Sequence, residues 1–412
     1  MTGLRAVDLF DIALRAEQAG KMDVAERAYE ALAHDPDVEV RTEARFRHAM
    51  LLKLIHRDRE AAVLLRAILD DKPDAARVRL ELGAALARLG YVQAARRELR
   101  NAEASGLPKQ IALIVDQYSL ALRSLRPFGG SLEIGLAPDT NINRATRSET
   151  LDTIIAPFQL SDDARAKSGV GLNIGAQVFA RHWLNPRIAL EARLSSHSSF
   201  YRENQFDDLL YGGQLGMELR LGKNAIAPTF GRNWRRFGQK AYSVTDTAAV
   251  DWQRSIGRTG LTDVRLSTGR ADYRVNDLQD GRIHSADLSF ERSLSGTFGG
   301  AVTLSGQRQT ARDAAYATWS GGASLLAWKE TRRMSLFASV AARRLRADAR
   351  IFLYPAKREE WFTSASVGAT FRQLAIRDFA PLVRVTYERN ASTLTLYDYH
   401  RLSATFGITR AF

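Results

Sequence analysis

The stretch GGSLEIGLAPDTNINRAT, residues 129–146, divides the chain into two unlike parts. Its apolar residues at positions 132, 134 and 136 alternate with small or polar ones, which predicts a β-strand, and Pro138 predicts that a loop follows. Before this stretch the sequence has a helical rhythm, and after it apolar and polar residues alternate in short runs. We therefore predict a helical domain over residues 1–126 and a β domain over residues 127–412.

The helical part contains an internal repeat. Small or apolar residues and a proline recur in one order in two segments: Ala49, Leu52, Ala61, Leu65, Ile68 and Pro73, then Gly83, Leu86, Ala95, Leu99, Ala102 and Pro108. Ala61 and Ala95 are 34 residues apart, the period of tetratricopeptide (TPR) repeats. A looser copy includes Ala13 and Tyr29, and residues 111–125 predict a capping helix. The sequence therefore predicts a TPR-like α-solenoid.

Stacked helix pairs expose a concave face suited to a peptide or protein. Arg45, Arg79 and Arg88 are the polar candidates for this face. The alternative is that each is only a solvated surface charge.

The β part contains about fourteen alternating runs. They begin near positions 130, 168, 187, 208, 224, 241, 260, 282, 298, 314, 332, 360, 380 and 400. The 412 − 129 = 283 residues give about 20 per strand with its loop, which suits membrane strands of roughly 9–11 residues plus turns. Fourteen is also an even number, as in bacterial barrels, so the pattern predicts a 14-stranded antiparallel transmembrane β-barrel.

At mid-strand, charges lie on one parity of these strands and the other parity is apolar. Leu190 and Leu194 lie on one face, whereas Glu191 and Arg193 lie on the other. The same split places Arg265 opposite in parity to Leu266, and it recurs around Asp287. Charges of both signs suit a wet lumen, so Glu191, Arg193, Arg265 and Asp287 are candidates for contacts with a transported molecule. A soluble sandwich would also alternate, and periodicity alone leaves it open.

Composition narrows the classes of function. The net charge is +13, but without a Lys/Arg block or a nucleic-acid-binding motif it does not predict a nucleic-acid partner. There is no cysteine, and no apolar stretch approaches the 18 residues of a membrane-spanning helix. The first ten residues contain no signal peptide. Because a barrel must be exported, we expect that the start of this sequence is trimmed or misassigned.

Catalytic patterns are weak, and we predict no enzyme, cofactor or metal. The glycines of residues 169–175 imitate a dinucleotide loop, but they lie within an alternating strand with no helix behind it. The seven His residues are scattered without metal-ligand spacing. In the run of residues 195–199, Ser196 and His197 are neighbours on a strand and point to opposite faces, so they cannot form a dyad.

A strand followed by APDTNINRAT (residues 137–146), directly after a helical repeat domain, resembles the barrel entry of the surface lipoprotein assembly modulator (Slam) family, the type XI secretion translocons. The resemblance implies a periplasmic TPR domain and an outer-membrane barrel. It also implies that the barrel conducts client proteins, either surface lipoproteins or soluble haem- or metal-capturing proteins. The alternating residues before Phe412 resemble the closing strand of an outer-membrane protein, which implies that Phe412 is a signal for the barrel-assembly machinery; Arg410 departs from that pattern.

Residues 138–146, here called the signature segment, allow two interpretations. The side chains of Asn141 and Asn143 could cap a turn. Alternatively, Asp139, Asn141, Asn143 and Arg144 contact a client in the lumen.

The function predicted from the resemblance is an outer-membrane translocon, with secreted client, assembly machinery and membrane lipid as partners and a monomeric state. Two alternatives remain open at this point. One is a polysaccharide-exporting TPR-porin, which predicts a lumen lined with aromatic and acidic residues. The other is a periplasmic scaffold anchored by a barrel, which predicts a plugged lumen.

Overall fold

The computed structural model describes residues 5–89, 91–104, 128–257, 259–331, 334–371, 374, 376 and 379–410. The described helices are α1 (Ala6–Gln18), α2 (Met22–Leu32), α3 (Val38–Leu54), α4 (Asp58–Asp71), α5 (Ala76–Arg88) and α6 (Val92–Ala104). None of these helices is long and apolar enough to cross a membrane.

Each helix packs against the next one along the chain. The small and apolar repeat positions in the described residues are buried, because small residues let the helices approach and large ones fill the space between them, whereas Pro73 is exposed. Thus Ala61 and Ala95 are fully buried, and Leu65 and Leu99 lie in the same apolar cluster. Asp37 caps α3 by accepting a hydrogen bond from Glu39 N at 2.8 Å. Pro108 and the predicted capping helix over residues 111–125 lie outside the described residues, and TPR membership stays a prediction.

The β part is a closed antiparallel barrel with two short strands in one loop. Its strands are β1 (Phe128–Asp139), β4 (Gly169–Asn185), β5 (Ile188–Tyr201), β6 (Asp208–Leu221), β7 (Asn224–Phe237), β8 (Lys240–Ile256), β9 (Gly260–Tyr273), β10 (Gly281–Ser293), β11 (Phe298–Gln309), β12 (Thr318–Glu330), β13 (Ser335–Ala347), β14 (Glu359–Thr370), β15 (Phe379–Ser392) and β16 (Tyr399–Arg410). The short hairpin consists of β2 (Thr150–Leu151) and β3 (Phe158–Gln159). Each barrel strand pairs with its neighbours in sequence order, and β1 pairs with β16 to close the ring.

The predicted helical region followed by a 14-stranded antiparallel barrel is confirmed. Most strands begin within two residues of the predicted positions. The largest difference is β12, which begins at Thr318 rather than near 314. Ala315 and Ala317 are buried beneath the preceding loop, so their apolar character reflects loop packing and not a strand.

The two ends of the barrel differ in the length of their connections. At one end, here called the turn end, β4–β5 and β6–β7 are joined by two residues each, and the longest connection spans residues 371–378. At the other end, the loop end, β1 and β4 are joined by residues 140–168, and β13 and β14 by residues 348–358. The helices lie at the turn end, where Arg79 of α5 contacts Glu330 of β12.

Alternate residues of each strand face outwards. Leu190 and Leu266 are 45 % and 55 % exposed on this outer face, and comparable apolar side chains recur on every barrel strand. Their neighbours Glu191 and Arg265 instead contact charged residues of adjacent strands. A continuous outer apolar surface with ion pairs on the opposite face is the pattern of a membrane barrel and not of a soluble sandwich.

Candidate functional site

One side of the lumen carries linked ion pairs on β4, β5 and β6. Arg181 Nε lies 3.0 Å from Glu191 Oε2, and its Nη2 lies 3.5 Å from Glu218 Oε2. Glu191 also accepts a hydrogen bond from Arg193, and Glu218 accepts one from Arg220 Nε at 2.6 Å. The structure therefore brings together the predicted residues Glu191 and Arg193 in one charged network.

The network continues on β8, β9 and β10. Arg265 Nη1 lies 2.8 Å from both carboxylate oxygens of Asp251. Asp287 lies directly opposite Arg265 in the register of β9 and β10. We refer to the lumen faces of β4–β6 and β8–β10 as the charged wall. It presents both signs of charge to the lumen.

The lumen faces of β11–β15 are different, because their mid-strand residues are mostly small and hydroxylic. Thr303 donates a hydrogen bond to Ser289 at 3.1 Å, and Ser366 and Thr386 hydroxyls lie 2.7 Å apart. Ser324 and Ser339 occupy the same face. This side of the lumen also carries arginines, Arg343 on β13 and Arg384 on β15, and Arg384 Nη2 lies 3.4 Å from Glu133 Oε2.

A cavity of about 830 Å³ lies where the helices meet the turn end. Tyr91 and Glu98 line it from the helical side, and Phe179, Arg193 and Trp328 line it from the barrel side. We call this cavity the chamber. It joins the charged wall to the surface of α6, so the lumen and the helices share one space.

A buried ion cluster holds the helices to the barrel. Arg79 Nη1 lies 2.8 Å from Glu98 Oε2 and 3.4 Å from Glu330 Oε2, and Arg79 also donates to Pro73 O at 3.0 and 3.1 Å. Burial and the neighbouring Glu330 carboxylate raise the pKa of Glu98, whereas Arg79 lowers it.

The arginines predicted for the concave face all form ion pairs. Arg79 is only 1 % exposed, so it faces the interior and not an open groove. Arg45 Nη1 lies 3.0 Å from Asp71, and Arg88 Nε lies 2.8 Å from Asp58. The first bond joins α3 to α4 and the second joins α4 to α5, a role that the repeat alignment does not reveal.

The signature segment lies at the loop end, next to β16. Asp139 accepts hydrogen bonds from Arg401 Nε at 2.8 Å and Nη2 at 2.5 Å. Arg401 Nη1 donates to Glu388 at 3.1 Å, and Arg144 Nε lies 3.3 Å from the same carboxylate. Asp139 and Arg144 therefore belong to one ion network that joins β1, β15 and β16.

The two asparagines bond to the chain itself. Asn141 is fully buried, and its amide donates to Ala145 O at 2.8 Å and to His400 O at 3.1 Å. Asn143 donates to Arg165 O at 2.7 Å and accepts from Lys167 N at 3.1 Å. These bonds fit the interpretation in which the asparagines shape a turn, and client contact by these two amides stays a prediction. Arg144, half-exposed and with φ 48°, has the freer side chain.

The β1–β16 seam is less regular than the pairing of β1 with β4. Among the described residues, five pairs join β1 to β16, and this register omits Ala137 and Pro138. Twelve pairs join β1 to β4. Above the omitted residues, Thr140 N donates to Leu402 O at 3.0 Å, so the signature segment continues the seam.

Helices α2 and α3 bring together three potential metal ligands, two of them one helical turn apart on α2. Single ligand atoms of Glu26, Glu30 and His48 lie within 4.8 Å of one another. Glu26 also accepts a hydrogen bond from Arg57 at 2.8 Å, so a cation would compete with that guanidinium.

Sequence reasoning missed several residues of these networks, among them Arg181, Asp251, Glu330, Glu388 and Arg401. The residues among them that pair across strands could have been found from the cross-strand register. Deducing that register requires the strand boundaries to within one residue. The predicted assembly residue Phe412 lies outside the described residues.

Comparison with known proteins gives a family match. Residues 129–412 match the model of the family described as "Surface lipoprotein assembly modifier". A protein of that name from Moraxella catarrhalis is 27 % identical over 226 residues. The match covers 52 % of this chain, and it spans only 37 % of the length of the relative.

Two solved barrels are similar to the chain. A loop-deletion variant of OmpT, an outer membrane protein of Vibrio cholerae, is 10 % identical with a TM-score of 0.42, covering 69 % of this chain and 99 % of that chain. The toluene transporter TodX of Pseudomonas putida is 10 % identical with a TM-score of 0.36, covering 71 % of this chain and 92 % of that chain.

Proposed function

Because the chain belongs to the surface lipoprotein assembly modifier family, we propose that it passes a surface lipoprotein from the periplasm through its barrel to the cell surface. The chain is an outer-membrane β-barrel, and its family acts in transport and not in catalysis. The route of the lipoprotein through the lumen of the barrel is our proposal.

The orientation follows from the connections. Outer-membrane barrels have short periplasmic turns and longer extracellular loops, so the turn end with its helices faces the periplasm. A client that leaves the inner membrane would then meet the helices before the barrel.

The chamber is the observation that carries the proposal. It joins the surface of α6 to the charged wall in one continuous space. Charges of both signs, such as Glu191 and Arg193, can exchange partners with an extended polypeptide as it moves. Each such bond contributes a net free energy of about 0.5–1.5 kcal/mol, which is weak enough to release the client.

At the loop end, Arg144 is the candidate for the last contact. Its side chain is 52 % exposed beside Glu388, and its left-handed backbone conformation is unusual for a residue other than glycine. Strained positions cluster at ligand contacts, which supports a contact with the client.

Site-directed cross-linking tests the route. The chain has no cysteine, so a single introduced cysteine is its only thiol. We expect Arg193→Cys, labelled with a thiol-reactive photo-cross-linker, to capture a tagged surface lipoprotein that is co-expressed and arrested during export.

Leu194→Cys is the matched control, because it is the next residue on β5 and faces outwards. Capture from Arg193→Cys but not from Leu194→Cys supports passage through the lumen. Equal capture from both positions, or capture only from position 194, would contradict it.

A further inference from the structure

A second cavity of about 830 Å³ lies on the outer face of the barrel, across β5–β9. Small residues form its floor, among them Ala192, Gly213 and Ala248, and Leu215 and Phe230 form its sides. Leu215 and Phe230 belong to the outward parity and are exposed. We call this cavity the outer groove. Its apolar lining suits an acyl chain.

A row of charges borders the groove on the side of the loop end. Arg232, Asp246, Arg270 and Arg282 lie directly opposite one another on β7, β8, β9 and β10. Arg232 pairs with Asp246 through two bonds of 2.5 and 2.7 Å. Arg270 lies 3.1 Å from Asp272 and remains largely exposed. Within the described part of the chain, Arg282 has no acidic partner.

The row and Asp272 together hold three cations against two anions, and two of the cations, Arg270 and Arg282, are cross-strand neighbours. Like charges directly opposite each other on adjacent strands are destabilising. An anion that bridges Arg270 and Arg282 would remove this repulsion. Guanidinium groups bind phosphate oxygens in pairs of parallel hydrogen bonds, so phosphate fits this position.

The depth of the row agrees with this ligand. Arg282 is the second residue of β10, and Arg270 is three residues before the end of β9, so both lie near the interface on the loop side. Towards the turn end, the next outward residues in β8, β9 and β10 are Ala248, Thr268 and His284, and Thr268 Oγ1 lies 3.0 Å from His284 Nδ1. The outward residues after them, Val250, Leu266 and Ala286, are apolar. Cations therefore stand at headgroup level above an apolar groove.

We propose that the outer groove binds a phosphorylated glycolipid of the outer leaflet, with a phosphate on Arg270 and Arg282 and an acyl chain along Leu215 and Phe230. An uncharged acyl anchor would fill the groove but would leave the like charges of the row unrelieved, so charge complementarity selects the phosphorylated lipid. The proposal goes beyond client transport and needs only the barrel in its membrane.

Native mass spectrometry of the full chain, released from detergent, tests the site. The probes are bisphosphorylated lipid A and its enzymatically dephosphorylated form. We expect the chain to retain the phosphorylated form and to lose at least about tenfold in affinity, or about 1.4 kcal/mol, in the double variant Arg270→Gln/Arg282→Gln. The matched control Arg344→Gln/Arg346→Gln removes two outward arginines beside Glu359, away from the groove, and should bind within about twofold of the parent protein.

A second variant separates the apolar part of the site. Ala248→Phe fills the groove and leaves every charge in place, so it should also lose the lipid. Heat-modifiable migration of each variant shows that its barrel is folded. Equal losses in the two arginine pairs, equal retention of the dephosphorylated lipid, or no retention by the parent protein would each overturn the proposal.

Discussion

At the scale of single residues, neighbours on one strand face different environments, lipid on the outside of the barrel and the lumen on the inside. Leu266 faces lipid at mid-strand, whereas Ser267 faces the lumen, where its hydroxyl lies 2.6 Å from that of Ser285. A charge at position 266 must therefore enter hydrocarbon, but the same charge at position 267 meets water and other polar groups.

We expect Leu266→Arg to lower the free energy of unfolding by roughly 2–4 kcal/mol, because its charge lies near the bilayer midplane. Ser267→Arg should cost only about 0.5–1.5 kcal/mol for the lost hydrogen bond. Denaturant titration in lipid vesicles measures both values. Equal costs at the two positions would show that the outer face does not contact lipid.

Arg401 is held by two carboxylates, and the Asp139 pair is the more buried of the two. We expect the variants Asp139→Asn and Arg401→Gln to be non-additive, with a coupling free energy of about 0.5–3 kcal/mol in a double-mutant cycle. If the two variants change the free energy of unfolding additively, the pair does not contribute to closure of the barrel.

At the scale of elements, the strand pattern was readable from the sequence and the contacts between elements were not. Period-two alternation placed β8 within one residue of its observed start, because the pattern is local. The bond from Arg79 to Glu330 joins residues 251 positions apart, and no local pattern encodes it. Arg79 thus looked like a surface residue, although it is buried at the contact between helices and barrel.

Arg79 is the cation that Glu98 and Glu330 share, and Arg66 also lies close enough to favour the charged form of Glu98. Arg79→Met removes the bonded counter-charge of Glu98, and we expect a loss of about 3–5 kcal/mol in the free energy of unfolding of the helices. Glu98→Gln leaves Arg79 bonded to Glu330 and should cost less. Urea unfolding of the full chain, followed by helical circular dichroism, compares the two variants, and the reverse order would contradict this account.

The same cluster predicts a dependence on pH. Because the pKa of Glu98 is raised in the folded chain, the folded state holds the proton to a higher pH than the unfolded state does. The associated stability is present below the ordinary glutamate pKa of about 4.3 and is lost as the pH rises through the folded value. Glu98→Gln should reduce the pH dependence of the free energy of unfolding in this range. An unchanged slope of free energy against pH would show that another group is responsible.

Closure of the barrel depends on two glycines that face each other on β1 and β16. A Cβ at Gly407 would lie 2.4 Å from Ile134 O and 2.9 Å from Gly135 Cα, so Gly407→Ala should destabilise the seam by about 1–3 kcal/mol. Gly306→Ala is the control, because nothing lies within 4 Å of its Cβ. Heat-modifiable migration should shift to lower temperature only for Gly407→Ala.

At the scale of the whole molecule, the helices are predicted to lie in the periplasm, next to a barrel embedded in the outer membrane. If the turn end faces the periplasm as proposed, protease added to intact cells should spare the helices. Cleavage of residues 5–104 without damage to the outer membrane would reverse this orientation. The same cells with a permeabilised outer membrane give the positive control.

The signature segment also has a consequence for the order of assembly. Asn141, near the start of the barrel, is fully buried only when its amide meets His400 O, 259 residues later. Some bonding partners of this segment, among them His400 and Arg401, are therefore synthesised long after it, and ring closure over such a separation is slow. Until β16 arrives, a polar amide and several backbone groups stay open to water. Protection of the amides of this short segment from hydrogen exchange with solvent would thus indicate that the barrel has closed.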